Sequence, residues 1–145
     1  MPQSASVAVI GVGVVGARVA RQLTSSGISV LLHDERSDAQ HALAQSLRAI
    51  ELTDLTKLDP MTTPVVVIAT SSAQAPMAKI LLELGHHVVC TGDDVEDIRE
   101  LLQLDENARQ EKRVLIVGAA ASPGLSGLLV AEFAPRVDTL DEIHV

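Results

Sequence analysis

Tryptophan and tyrosine are absent from this sequence, and Phe133 is its one aromatic residue. No platform for stacking bases or sugars is therefore available. The interior must be filled by Val, Leu, Ile and Ala, the usual filling of a parallel sheet buried on both faces. The single cysteine, Cys90, excludes an internal disulfide and fits a reducing compartment. Lys and Arg number 11 against 19 Asp and Glu, so the formal net charge is −8, and the basic residues form no cluster. A phosphodiester backbone would meet net repulsion, which speaks against nucleic acid as a partner. No apolar run approaches the roughly 20 residues of a membrane span, so no membrane partner is expected. Residues 1–6, MPQSAS, carry neither a basic n-region nor an apolar h-region. They predict no signal peptide, a disordered lead over residues 1–5, and a cytoplasmic protein.

What is present is apolar material in short, punctuated runs. The chain has 145 residues, 47% apolar and 21% charged, enough for one domain with a real core. Its most organised stretch is Val7–Val19, VAVIGVGVVGARV. A strand pattern there meets Gly11, Gly13 and Gly16 in G-x-G-x-x-G spacing, and a helical pattern follows over Val14–Ser25. Gly11 permits a tight turn out of the strand, Gly13 lets a pyrophosphate approach the backbone, and Gly16 lets helix and strand pack closely. The free N–H groups of the first turn, near Val14 and Val15, would face the phosphates. Val15, Val19 and Leu23 are the expected core positions of this helix, and Gly27 its terminator.

A second strand, Ile28–His33, runs straight into Asp34, 23 positions after Gly11. Dinucleotide folds place a carboxylate there to accept hydrogen bonds from the adenosine ribose. The alternative is an aspartate on a solvated loop. Arg36 could accommodate a 2′-phosphate or stack on adenine, but Asp34 and Glu35 would repel that phosphate. The pattern therefore admits NAD or NADP and favours NAD.

Further along, Ser37 and Gln40 have capping-box spacing ahead of a helix over Asp38–Ala49. Residues 48–53 read as a short third strand. Asp54 lies either near adenine or in a turn, and Asp59-Pro60 marks a turn. Strand four, Pro64–Ala69, leads to Thr70 and Ser71. Ala69, Thr70 and Ser71 either touch the cofactor beyond the strand end or open the next helix, Ala75–Leu84. Gly85 stops that helix. Strand five is His87–Thr91, with Cys90 as a buried small apolar residue. The pair His86-His87 lacks a second ligand cluster, so no metal site is expected. A helix from Asp94, with Asp93 and Glu96 at capping spacing, runs to about Leu104. Strand six, Arg113–Val117, precedes a small-residue loop from Gly118 to Gly124 and an apolar helix, Leu125–Ala134. The alternation of strands and helices predicts an α/β, three-layer Rossmann fold, a doubly wound parallel sheet of about six strands.

Three stretches together resemble the NAD(P)-binding domain of the saccharopine dehydrogenase-like oxidoreductases. These are VAVIGVGVVGARVARQL with LLHDER, PVVVIAT with HHVVCTGDD, and RVLIVGAAASPGLSGLLVAEFA. In the third, Pro123, Gly124, Leu125 and Ser126 match the family's Pro-Gly-Leu-Ser opening of a helix, while Ala120 stands where relatives often carry glycine. The resemblance implies hydride transfer at a C–N centre of an amino-acid-like substrate, with Gly118 and its loop beside the nicotinamide. It also implies a cofactor domain over residues 1–135, with residues 136–145 beginning a strand into a substrate domain that this chain lacks. No Ser/His/Asp grouping or carboxylate pair emerges, so catalytic residues stay unassigned. Without the second domain the helix after Pro123 would be exposed, which leaves homodimerisation open. Two other readings compete. One is a nucleotide-sensing regulatory module of the potassium-transport type, and the other is a degenerate site kept as an interaction surface.

Overall fold

The computed structural model describes residues 6–144. The lead expected over residues 1–5, like Val145, lies outside the described residues. Six strands, β1 (Ser6–Ile10), β2 (Ser29–His33), β3 (Ile50–Glu51), β4 (Val65–Ile68), β5 (His87–Cys90) and β6 (Leu115–Ile116), form one parallel sheet. Its order is β3-β2-β1-β4-β5-β6. The chain winds outward from β1 in one direction, returns, and winds outward in the other, so the strand order reverses between β1 and β4.

Six helices connect and follow the strands: α1 (Val14–Ser25), α2 (Ser37–Leu47), α3 (Ala75–Glu83), α4 (Val95–Leu102), α5 (Asp105–Gln110) and α6 (Leu125–Phe133). Strand side chains alternate between two cores, as the pleat requires. Val9, Val30, Leu32 and Val67 pack with Ala20, Leu43 and Ala44 on the α1–α2 side. Ala8, Ile10, Val66, Ile68, Val88 and Cys90 pack with Leu82, Leu101 and Leu104 on the other. The central strands are buried on both faces, which is why they read as unbroken runs of Val, Ile and Leu.

Several expectations are corrected. Val15 is half exposed, not a core position; the residues α1 buries are Gly16 and Ala20. The inward position of its first turn is Gly16, packed against Gly11 and Ala69. The residue before α2 is Arg36, with no side-chain cap, so Ser37 and Gln40 form no capping box. Asp94, not Asp93, precedes α4, and its carboxylate accepts from the Asp97 amide at 2.9 Å. The helix expected to run to Leu104 breaks after Leu102 and restarts as α5. Residues 137–144 pair with no strand among the described residues. Helix α6 buries none of its residues, and Leu125, Leu128, Leu129 and Phe133 stand exposed along it.

Candidate functional site

The parallel register brings four strand ends to one level. Ile10 pairs with both His33 and Ile68, and Ile68 pairs with Cys90. The residues that follow, Asp34, Gly11, Ala69 and Thr91, therefore stand side by side at the carboxyl edge. In an open α/β sheet this edge, at the reversal of strand order, is where ligands bind.

Gly11 leaves β1 at φ +92°, a conformation that suits only glycine, and its amide donates to the His33 carbonyl at 2.8 Å. A Cβ there would lie 2.6 Å from the carbonyl oxygen of Ala69. A Cβ on Gly16 would be driven into the Gly11 carbonyl oxygen and would press on the Ala69 side chain. Gly11 and Gly16 thus permit three backbones to meet. Gly13 differs: its φ is −66°, and nothing lies within 4 Å of the position a Cβ would take. The space above Gly13 is open at the amino end of α1, where no acidic side chain stands in the first turn. Val14 is 92% exposed and Val15 half exposed, and the first-turn amides have no side-chain cap and no partner within the helix.

Asp34 borders that opening. Its Oδ2 accepts from the Val12 amide at 2.7 Å, and its Oδ1 from the Arg36 amide at 2.8 Å and from Arg36 Nε at 3.0 Å. The Arg36 guanidinium, opposed in part by burial and helped by the Val12 amide, holds the Asp34 carboxyl down at about 2. Gln40 braces the same corner from α2. Its Nε2 donates to the carbonyls of Leu32 and Leu52, and its Oε1 accepts from the Asp34 amide at 3.2 Å. Glu35 points into solvent, as does the Arg36 stem. Asp54 takes the turn role of its two readings, accepting from the Thr56 amide at 2.9 Å to cap a single 3-10 turn over Leu55–Lys57.

On the far side of β1, Ala69, Thr70 and Ser71 form the loop between β4 and α3, and none of them is helical. Gln74 and Asp97, which the sequence reading passed over, are nearly fully buried behind this loop. No local pattern marks them: Gln74 precedes α3, and Asp97 reads as an ordinary acidic residue in the first turn of α4. Gly118 follows β6, at φ +70° and packed against Pro123. It stands three strands from Gly11, roughly 14 Å at ordinary strand spacing. The structure therefore sets Gly11, Gly13, Val14, Val15, Gly16, Asp34, Glu35, Arg36, Ala69, Thr70 and Ser71 along one carboxyl edge of the sheet, with Gly118 at its outer end. Among the described residues no cluster of His, Cys, Asp or Glu could hold a metal. Nor, among the described residues, is any helix long and apolar enough to cross a membrane.

The arrangement fits a dinucleotide: an open backbone for its pyrophosphate, free amides for the charge, and a carboxylate beside the glycine turn. Comparison with known proteins agrees. The model of an oxidoreductase family with an NAD-binding Rossmann fold, GFO/IDH/MocA, matches residues 5–119. No match is found among curated proteins. Among solved structures, GenD2 from gentamicin A biosynthesis in complex with NAD is 27% identical, with a TM-score of 0.70 over 82% of this chain. The UDP-N-acetylglucosamine 3-dehydrogenase of Acidithiobacillus ferrooxidans shares the fold at 23% identity and a TM-score of 0.65 over 79% of this chain. The shikimate 5-dehydrogenase of Thermus thermophilus does so at 20% and 0.63 over 98%. The chain spans 35%, 38% and 52% of these three proteins.

Proposed function

Since the chain belongs to the GFO/IDH/MocA oxidoreductase family, with its NAD-binding Rossmann fold, we propose that it is the cofactor-binding part of an NAD(P)-dependent oxidoreductase that works chiefly with NAD. The observation that carries this reading is the open space over Gly13 at the amino end of α1, beside the Asp34 carboxylate. Gly13 and the amides near Val14 and Val15 would take the pyrophosphate, and Asp34 the adenosine ribose hydroxyls. Ala69, Thr70 and Ser71 would border the nicotinamide half, with Gly118 at the far end of the cleft. Bound nicotinamide supplies or accepts the hydride; these residues bind and orient it.

The reaction we assign to the whole protein is hydride transfer at a carbon bearing nitrogen, on an amino-acid-like small molecule. Its support is the Pro123–Ser126 segment, whose sequence resembles the saccharopine dehydrogenase-like enzymes. Residues 136–145 would lead into the substrate domain, whose surface would cover the apolar side chains of α6. Acid–base groups would come from that domain, since the cleft described here offers none. Neither nucleic acid nor a membrane enters the scheme, and a cytoplasmic location suits the one buried thiol.

Calorimetric titration with NAD⁺, NADH, NADP⁺ and NADPH tests the cofactor assignment. Binding of NAD⁺ or NADH in preference to the phosphorylated forms supports it, and binding of none overturns it. Turnover of amino-acid adducts or imines, against alcohols, by the protein carrying its substrate domain tests the C–N assignment.

A further inference from the structure

Behind the β4–α3 loop lies a polar cluster that the glycine motif does not explain. Asp97, in the first turn of α4, is 6% exposed, and Gln74, just before α3, is 1% exposed. The Asp97 carboxylate accepts from the backbone amides of Gln74 and Ala75, each at 2.9 Å. It thereby fills the amino terminus of α3, where a negative charge is favoured. With its backbone so fixed, the Gln74 side chain spans two loops. Its Nε2 donates to the Thr70 carbonyl at 3.0 Å, and its Oε1 accepts from the Gly92 amide at 3.1 Å. Gly92 is fitted to this bridge: a Cβ there would lie 3.3 Å from Gln74 Cδ and 3.4 Å from Asp97 Oδ2.

Burying a carboxylate and an amide together is costly unless each polar atom is paired, and here the pairs fall on two loops at the carboxyl edge. Within its own loop, Thr70 makes one long side-chain contact, Oγ1 to the Ser72 carbonyl at 3.5 Å. The Gln74 bridge is what ties that loop to the end of β5. Strand order then assigns the bridge a place along a bound dinucleotide. Asp34 follows β2, on one side of β1, whereas Thr70 and Gly92 follow β4 and β5 on the other. A ligand whose adenosine ribose sits at Asp34 and whose pyrophosphate crosses Gly13 must carry its second nucleoside over β4 and β5.

We propose that Gln74, held by Asp97, is the positioning residue for the nicotinamide half of the site, an inference that rests on the cofactor reading above. It sets the height of the Ala69–Ser71 loop against the β5–α4 loop and touches no cofactor itself. ADP carries the adenosine and pyrophosphate without the nicotinamide nucleoside, so it separates local positioning from general folding.

The test is titration of the wild-type chain, Gln74→Met and Gln74→Glu with NAD⁺ and with ADP, alongside amide hydrogen exchange. Methionine keeps the bulk and loses both side-chain bonds; glutamate keeps the acceptor for Gly92 and, when ionised, loses the donor to Thr70 and sets a second charge beside Asp97. Both variants should bind NAD⁺ about tenfold more weakly, with ADP affinity within about twofold of wild type. In Gln74→Met the Gly92 amide should exchange faster while the amides of β1 and β2 keep their protection. Equal losses for NAD⁺ and ADP, or unchanged NAD⁺ affinity in a folded variant, would overturn the inference. A wild-type chain that binds neither nucleotide would instead overturn the cofactor reading, and this inference with it.

Discussion

Arg36 lies across the carboxylate of Asp34, with Nε 3.0 Å from Oδ1 and Nη2 3.3 Å from Oδ2. With the amides of Val12 and Arg36 also donating, the four acceptor positions of the carboxylate are taken. A ribose that binds Asp34 must therefore displace the guanidinium. The Arg36 side chain, 66% exposed, can swing into water, while the Asp34 side chain, 8% exposed, needs the ribose hydroxyls to take over its bonds. A 2′-phosphate would meet the carboxylate directly, at a like-charge cost of several kcal/mol. Asp34→Ser with Arg36 retained should thus move the NADP⁺/NAD⁺ affinity ratio toward NADP⁺ by about tenfold or more. Calorimetry with both cofactors reads the ratio, and an unchanged value would remove Asp34 from the ribose role.

Gly13 and Gly16 belong to one motif but should fail in different ways. A side chain at Gly13 has open space around it and an ordinary φ, so Gly13→Val should fold, with a melting temperature near wild type. Its isopropyl group would stand in the path of the pyrophosphate and remove dinucleotide binding. Gly16→Ala meets the Gly11 backbone, which has no flexible end to yield. We expect it to lower stability by about 2 kcal/mol or more, in the range of overpacked cores. Paired denaturation and titration experiments separate the two, and retained NAD⁺ binding in folded Gly13→Val would displace the pyrophosphate from this loop.

The strands and helices were legible because each depends on local pattern. Val65–Ile68 is a continuous apolar run, and Gly27 and Gly85, both at positive φ, end helices as glycine does. The cleft was legible at Gly11, Gly13, Gly16 and Asp34 because spacing along the chain fixes their spacing in space. Gln40, Gln74 and Asp97 were not. Their partners include backbone groups 8–23 residues away, and a polar residue on a helix face reads the same whether it meets water or a strand end. Val15 misled for a related reason. Helical periodicity assigns it to the inward face, but only the closeness of α1 to Ala69 shows that this face holds Gly16 and Ala20 instead.

Acid should reach the Asp34 carboxyl only late. That carboxyl is held at about 2 against an ordinary value of 3.8, so the folded state favours the ionised form. The stabilisation is present above the ordinary value and is lost as pH falls through that value toward 2. Because Arg36 faces water, the amount is below about 1 kcal/mol and shrinks in high salt. Wild type and Asp34→Asn should therefore differ most above about pH 5 and converge near pH 2. Urea denaturation of both across that range checks the sign; a gap that widens on acidification would contradict the pairing seen here.

Cys90 should be nearly inert in the folded protein despite lying at the carboxyl end of β5, two strands from the glycine loop. Its residue is fully buried. Burial, with the Asp97 charge adding to it, pushes the thiol up to about 12. The thiolate is the reactive species, and two effects oppose it here: little of it forms near neutral pH, and the sulfur is shielded from solvent. Iodoacetamide at about pH 8 should thus label the native chain at least about 100-fold more slowly than the urea-unfolded chain. Because the sulfur packs in the core and faces no open cleft, adding NAD⁺ should slow native labelling only as far as it suppresses opening of the fold. Rapid labelling of the native chain would place a solvent path at β5 and would require the carboxyl edge to open far more readily than this packing allows.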